Sequence, residues 1–195
     1  MSRSQSTALV FVAVALLFLF WKNSAADSFP LTGSRPDSAA TTSMASSNLE
    51  VSIRQAGEHK LALAVTNTGD KPLNVLTWNS PLDPIALKLG LVELFPSGSS
   101  EPIQINTIQV RRKMPPESDS LVTIKAGETK ENVLEIGEPV VPSDKLQGAM
   151  TVRCKGTWMG VWSADEFKTE ELEKIGSADE TQFGDFEAEL KSVEL

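Results

Sequence analysis

The stretch that decides the fold is residues 49–65, LEVSIRQAGEHKLALAV, in which apolar residues recur at every second position on both sides of a short polar break. The apolar residues before the break are Leu49, Val51 and Ile53. Those after it keep the same spacing and are Leu61, Leu63 and Val65. Successive side chains of a β-strand point to opposite faces, so this period predicts two facing strands joined by a turn at residues 57–59.

The same pattern of short apolar runs separated by turns continues to the end of the chain. Residues 67–72, NTGDKP, predict a turn, and residues 73–78 predict a strand that is apolar on both faces and lies deep in a sheet. Another strand is predicted at residues 103–110, with Ile103 and Ile105 facing inward and Ile108 as a further candidate. The remaining predicted strands are at residues 89–95, 121–124, 132–136, within 149–162, and at 186–190.

Strands at intervals of roughly ten residues are typical of an all-β fold, an immunoglobulin-like antiparallel β-sandwich of about seven to nine strands. One short helix is predicted near residues 163–175, because Ser163 and Glu166 have the spacing of a capping box.

The N-terminus has the layout of a signal peptide at residues 1–26. Its apolar run, residues 8–21, is too short to cross a bilayer comfortably, and small residues follow at Ser24, Ala25 and Ala26. Cleavage after Ala26 would make the protein secreted, whereas an uncleaved segment would anchor it to a membrane of the secretory pathway. Residues 27–47, rich in Ser, Ala, Thr and Pro, are predicted to be a flexible leader, and residues 48–195 the β-sandwich domain.

The charge of the chain is acidic, with a formal net charge of −8. Removal of residues 1–26 takes away Arg3 and Lys22 and no acid, which brings the charge to −10. Nucleic acids and anionic lipids are bound through Lys and Arg, so this balance argues against both as partners. A protein partner is expected instead, and a membrane only where the leader stays uncleaved.

Cys154 is the sole cysteine, so the chain cannot form an internal disulfide. Its apolar sequence neighbours predict a buried core thiol. A domain of this size without disulfides is held together by its hydrophobic core, for which Trp78, Trp158 and Trp162 are the expected aromatic anchors.

No catalytic machinery is apparent, and no catalytic, cofactor-binding or metal-ligating residue is assigned. His59 is the single histidine, which excludes a zinc site of the His-Glu-x-x-His kind, and no Gly-x-Ser-x-Gly sequence or phosphate-binding glycine loop occurs. The acidic residues of 165–173 are expected to be a solvated helix face. The protein is therefore not expected to be an enzyme.

The densest positive patch is formed by Arg111, Arg112 and Lys113. Three interpretations stay open: a dibasic processing site, a contact that attracts an acidic partner, and the exposed end of a strand. Cleavage here would divide the predicted sandwich, which disfavours processing.

Several motifs resemble the N-terminal pro-region of fungal deuterolysin-type (neutral protease 2) zinc metallopeptidases. They are residues 48–53 (NLEVSI), 65–69 (VTNTG), 73–83 (LNVLTWNSPLD), 111–119 (RRKMPPESD), 124–128 (IKAGE) and 156–158 (GTW). The resemblance covers roughly residues 48–195. It implies that the family's catalytic domain would begin where this sequence ends, so none of the family's zinc ligands has a counterpart position in it.

This resemblance implies a domain that assists folding of a peptidase and keeps it latent. The first hypothesis is accordingly a non-catalytic secreted protein that binds a secreted zinc metallopeptidase in trans, as inhibitor or folding assistant, with no cofactor. The alternatives are an extracellular interaction module unrelated to peptidases and a truncated product lacking its catalytic domain.

Overall fold

The computed structural model of the protein describes residues 44–177 and 183–195. The predicted signal peptide, residues 1–26, lies outside the described residues, as do residues 27–43 of the predicted flexible leader. The last residues of that predicted leader belong to a 3-10 helix, Met44–Asn48, that leads directly into the first strand.

The described residues form nine strands and four short 3-10 helices, which confirms the all-β prediction. The strands are β1 Leu49–Gly57, β2 Lys60–Asn67, β3 Leu73–Leu76, β4 Val92–Pro96, β5 Leu121–Ile124, β6 Thr129–Glu135, β7 Ala149–Thr157, β8 Val161–Ser163 and β9 Asp185–Glu194. The 3-10 helices are Met44–Asn48, Ser118–Ser120, Ser143–Lys145 and Thr169–Lys174.

The strands pair into three antiparallel sheets with the orders β1-β2-β6, β5-β3-β8 and β4-β7-β9. The predicted pairing of β1 with β2 is confirmed, with Val51 opposite Val65 and Ile53 opposite Leu63. Strand β3 is the central strand of its sheet, and its residues Val75 and Leu76 are fully buried, which confirms the predicted deep position.

Strand β2 is buried on both faces, because its two alternating sets of side chains meet different neighbours. Leu61, Leu63 and Val65 point into the main core. On the opposite face, Arg54 of β1 lies opposite Ala62, and Glu131 of β6 lies opposite Ala64. Arg54 and Glu131 join in two hydrogen bonds of 3.0 and 2.7 Å, so they meet across the small side chains of β2.

One main hydrophobic core takes buried side chains from all three sheets, among them Leu63, Val75 and Val152. Cys154 and Trp158 are buried in it, and Trp158 packs on Phe186 with ring centroids 4.8 Å apart. The other two expected anchors are half-buried. Trp162 packs against the main core, and both Trp162 and Trp78 pack against a second, smaller cluster formed by Leu76, Leu172 and Ile175.

Asn67 ties two sheets together at the end of β2. Its buried side-chain amide donates hydrogen bonds to the carbonyls of Lys71 (2.8 Å) and Ile124 (2.9 Å), and its Oδ1 accepts one from the N–H of Gly69 (3.0 Å). The predicted turn at residues 67–72 is thus closed by an amide that also reaches the end of β5.

Two sequence predictions need correction. Residues 103–110 form no strand, and Ile108 is exposed. The short helix expected near residues 163–175 is present as the 3-10 helix Thr169–Lys174, but the capping box that predicted it does not form, because Ser163 belongs to β8 and, among the described residues, its buried Oγ has no hydrogen-bond partner.

Candidate partner-binding segment

The longest connection between strands in the described chain runs from β4 towards β5. Residues 97–117, here called the β4–β5 segment, contain neither helix nor strand. A loop of this length inside a compact domain is uncommon, and loops carry a large share of binding function. This segment is therefore the first place to look for a site.

Backbone hydrogen bonds hold the first half of the β4–β5 segment against the domain. The N–H of Ile103 donates to the carbonyl of Leu94 (2.7 Å), and the N–H of Ile108 donates to that of Lys88 (2.9 Å). Between them, Asn106 donates its backbone N–H to the carbonyl of Val140 (3.0 Å) and its side-chain amide to that of Pro139 (2.9 Å). The segment is thus fixed along its length rather than only at its ends.

Arg112 anchors the second half of the β4–β5 segment. Its guanidinium donates a hydrogen bond to the carboxylate of Asp83, which is 1% exposed, and lies over the indole of Trp78 with 5.1 Å from Cζ to the ring centroid. The Arg112 side chain itself is 23% exposed. A charged hydrogen bond and a cation–π contact together give this arginine a fixed position.

Asp83 is held by its own turn. Its Oδ2 accepts the N–H of Asn79 (2.9 Å), and its Oδ1 accepts the N–H of Ile85 (3.1 Å). The side chain of Asn132, from β6, donates to the carbonyls of Pro81 (3.0 Å) and Asp83 (2.7 Å). Hydrogen bonds satisfy the buried carboxylate on both oxygens, and the turn is fastened to the β1-β2-β6 sheet.

On both sides of Arg112, residues 108–114 expose large apolar and positively charged side chains. Ile108 is 46% exposed, Val110 42% and Met114 47%, while Arg111 and Lys113 are exposed beside them. Among the described residues, Val133 of β6, at 52%, is the other large apolar side chain left in solvent to this degree. Exposed apolar side chains grouped closely along the chain make this part of the segment a candidate interaction surface.

The structure separates the three residues of the sequence-predicted basic patch. Arg111 and Lys113 are exposed, and Lys113 forms an exposed ion pair with Glu117 at 3.1 Å, whereas Arg112 turns inward to Asp83. Trp78, expected as a core anchor, is the residue on which Arg112 lies.

Sequence reasoning missed Asp83 and the exposed apolar residues of the segment. An acid within the otherwise uncharged sequence SPLDPIAL, residues 80–87, was the available signal for Asp83. Successive residues of a strand point to opposite faces, so Ile108, at an even position, could not share a face with Ile103 and Ile105, which are at odd positions. This mismatch was the available signal for Ile108.

No metal centre is assembled from the described residues. They contain no group of three or more His, Cys, Asp and Glu side chains that could hold a metal ion. His59 lies exposed in the β1–β2 turn, and burial raises the pKa of the Cys154 thiol to about 12, which makes it a poor nucleophile. A cleft of about 460 Å³ is lined in part by Trp162, Phe167 and Phe183.

A family model for the immunoglobulin-like domain matches residues 48–195. The chain belongs to the immunoglobulin-like domain family. This confirms the predicted fold class, and the matched residues coincide with the predicted domain. None of the helices in the described part of the chain is long and apolar enough to cross a membrane.

The chain is similar to two curated proteins, an uncharacterized secreted protein and a neutral protease 2 homolog. The chain is 30% identical over 161 residues to an uncharacterized secreted protein from Arthroderma benhamiae, an alignment that covers 82% of this chain and 77% of that protein. It is 32% identical over 88 residues to a neutral protease 2 homolog from Phaeosphaeria nodorum, which covers 45% of this chain and 25% of the relative. The chain thus matches a quarter of the protease homolog's length.

Proposed function

We propose that this immunoglobulin-like domain is a non-catalytic secreted protein that binds a secreted zinc metallopeptidase in trans, as an inhibitor or a folding assistant. The similarity over 88 residues to a neutral protease 2 homolog supports the link to peptidases. The similarity to a secreted protein over 77% of its length supports the extracellular location.

One structural observation carries the proposal. Residues 73–83 and 111–119, two of the motifs that resemble a metallopeptidase pro-region, meet in the fold, because Asp83 from the first pairs with Arg112 from the second. The contact holds the β4–β5 segment in place while Ile108, Val110 and Met114 remain exposed. A segment ordered before it meets a partner loses less conformational entropy on binding than a flexible one, which favours tight association.

The test is an assay of a deuterolysin-type zinc metallopeptidase with the purified chain added. We expect either a lower rate of peptide hydrolysis or a higher yield of active enzyme after refolding from denaturant. The matched controls are the same chain after thermal unfolding and an unrelated serine peptidase, neither of which should show the effect. The assay uses the chain at a concentration about 100-fold above an expected micromolar Kd. The proposal would be overturned if neither the hydrolysis rate nor the refolding yield changed at that concentration.

A second candidate function is an extracellular interaction module with a partner that is not a peptidase. It is favoured by the Arthroderma benhamiae relative, which matches more of this chain than the protease homolog does and is described only as secreted. Chemical cross-linking in culture fluid followed by mass spectrometry distinguishes the two, because a non-peptidase protein would be the cross-linked partner under this alternative.

A further inference from the structure

We propose that Ile108, Val110 and Met114, together with Arg111 and Lys113, form the docking surface through which the chain enters an acidic, apolar-walled cleft of its protein partner. These five residues are here called the docking patch. The inference rests on the proposed function and deepens it, since it states which part of the molecule contacts the peptidase and what the peptidase must offer.

The apolar part of the docking patch is concentrated in a short piece of chain. Of the four exposed large apolar side chains found among the described residues, Ile108, Val110 and Met114 lie within seven consecutive residues. The Asp83–Arg112 ion pair and the backbone hydrogen bonds from Asn106 and Ile108 hold this piece of chain against the domain. The centre of an interface is more apolar and less charged than its rim, and these side chains fit that centre.

The charge of the docking patch is opposite to that of the whole chain. The protein has a net charge of −8, yet Arg111 and Lys113 are exposed beside the apolar residues, with Lys113 also in an exposed ion pair with Glu117 at 3.1 Å. Charges at the rim of an interface set the association rate and the choice of partner. The complementary surface therefore carries carboxylates around an apolar groove, while the acidic remainder of this chain would be repelled from such a groove in other orientations.

Within the described residues, several backbone N–H groups in and beside the docking patch have no acceptor. The N–H groups of Asn106 and Ile108 are used within the domain. In residues 44–177 and 183–195, no acceptor meets the backbone N–H groups of Thr107, Gln109 and Val110. A segment with unused backbone donors can add to a strand of a partner, a common mode by which a cleft binds an extended chain.

Arg112 has a different task from its two neighbours. Its guanidinium is engaged by Asp83 and Trp78, so it positions the segment and does not meet the partner. The basic triplet is thus divided into one internal anchor and two contact residues, a division that mutagenesis can detect.

The experiment measures the Kd between the purified chain and a deuterolysin-type zinc metallopeptidase at low and high salt. The two test variants are Arg111→Glu/Lys113→Glu and Ile108→Ser/Val110→Ser. The matched controls are Lys71→Glu/Lys168→Glu, which changes the net charge equally at exposed lysines outside the segment, and Val133→Ser, which removes the other exposed apolar side chain. Circular dichroism and the Tm of each variant establish that it is folded.

Both test variants should weaken binding at least about tenfold, and the two controls by less than about threefold. Added salt should weaken binding of the unchanged chain but not further weaken the charge-reversed variant. Equal affinity of test variants and controls would overturn the docking patch and leave the proposed function intact. No binding by the unchanged chain would overturn the proposed function and the docking patch together.

Discussion

Asp83 and Arg112, 29 residues apart in the sequence, form an ion pair whose carboxylate is almost completely buried. The pair joins the turn after β3 to the β4–β5 segment, and Trp78 covers the guanidinium. The residues on either side of Arg112, Arg111 and Lys113, are exposed, so of the three basic residues only Arg112 turns inward.

Loss of Arg112 should destabilise the fold. Arg112→Met leaves the Asp83 carboxylate buried with only two backbone N–H donors, and breaking a buried pair in this way costs about 3 kcal/mol or more. The measurement is urea unfolding followed by tryptophan fluorescence. Arg111→Met is the matched control and should change the free energy of unfolding by less than about 0.5 kcal/mol, since Arg111 is exposed. Equal effects of the two substitutions would mean that the ion pair does not anchor the segment.

Asn67 should be similarly intolerant of change. Asn67→Ala removes both amide donors and leaves the carbonyls of Lys71 and Ile124 without them, with an expected cost of about 2–3 kcal/mol. Asn106→Ala is the control, because its exposed side chain makes one hydrogen bond to Pro139, and its cost should stay below about 1 kcal/mol. Thermal unfolding of the two variants under identical conditions compares them. A smaller loss at Asn67 than at Asn106 would show that the buried amide is not important for joining the sheets.

Cys154 should be inert in the folded protein. Burial raises the pKa of its thiol from an ordinary 9.0 to about 12, so at pH 8 the folded chain should react with a disulfide reagent at least about 100-fold more slowly than the denatured chain. As the pH rises, the thiol ionises at a lower pH in the unfolded chain than in the folded protein. The free energy of unfolding should therefore fall as the pH rises from about 9 towards about 12. Rapid labelling of the native protein at pH 8 would contradict the buried position.

The Arg54–Glu131 pair should be visible in a titration. The side-chain hydrogen bond from Arg54 holds the pKa of Glu131 below its ordinary 4.5, with their charge attraction acting in the same direction. Because the pKa of Glu131 is lower in the folded protein than in the unfolded chain, the pair stabilises the fold at pH values above the ordinary pKa. That stabilisation is lost as the pH falls through the lowered pKa of the folded state. NMR titration of the Glu131 side-chain carbon should show a rise in its pKa on Arg54→Gln. An unchanged midpoint would mean that the pair does not form in solution.

The sequence predicted the strand architecture well where the pattern is local. The alternation in residues 49–65 predicted both strands, their facing sides and their turn, because period and turn chemistry are properties of neighbouring residues. The same reasoning placed β3 deep in a sheet and β9 at the end of the domain.

The sequence predicted the candidate segment poorly, because its structure depends on contacts between distant residues. Nothing near Arg112 in the sequence indicates that its partner is Asp83. Ile108 and Val110 were expected to belong to a strand, but they lie in a segment without strand structure and are exposed. Ser163 and Glu166 had the spacing of a helix cap, yet pairing of Ser163 with Leu73 in the sheet took precedence over the local motif.

The most direct test of the account is the dissociation constant between the purified chain and a deuterolysin-type zinc metallopeptidase, measured by isothermal titration calorimetry. We predict one-to-one binding with a Kd of about 1 µM or lower for the unchanged chain. Heat exchange indistinguishable from dilution, at concentrations about 100-fold above that value, would contradict the claim that this immunoglobulin-like domain binds a metallopeptidase in trans.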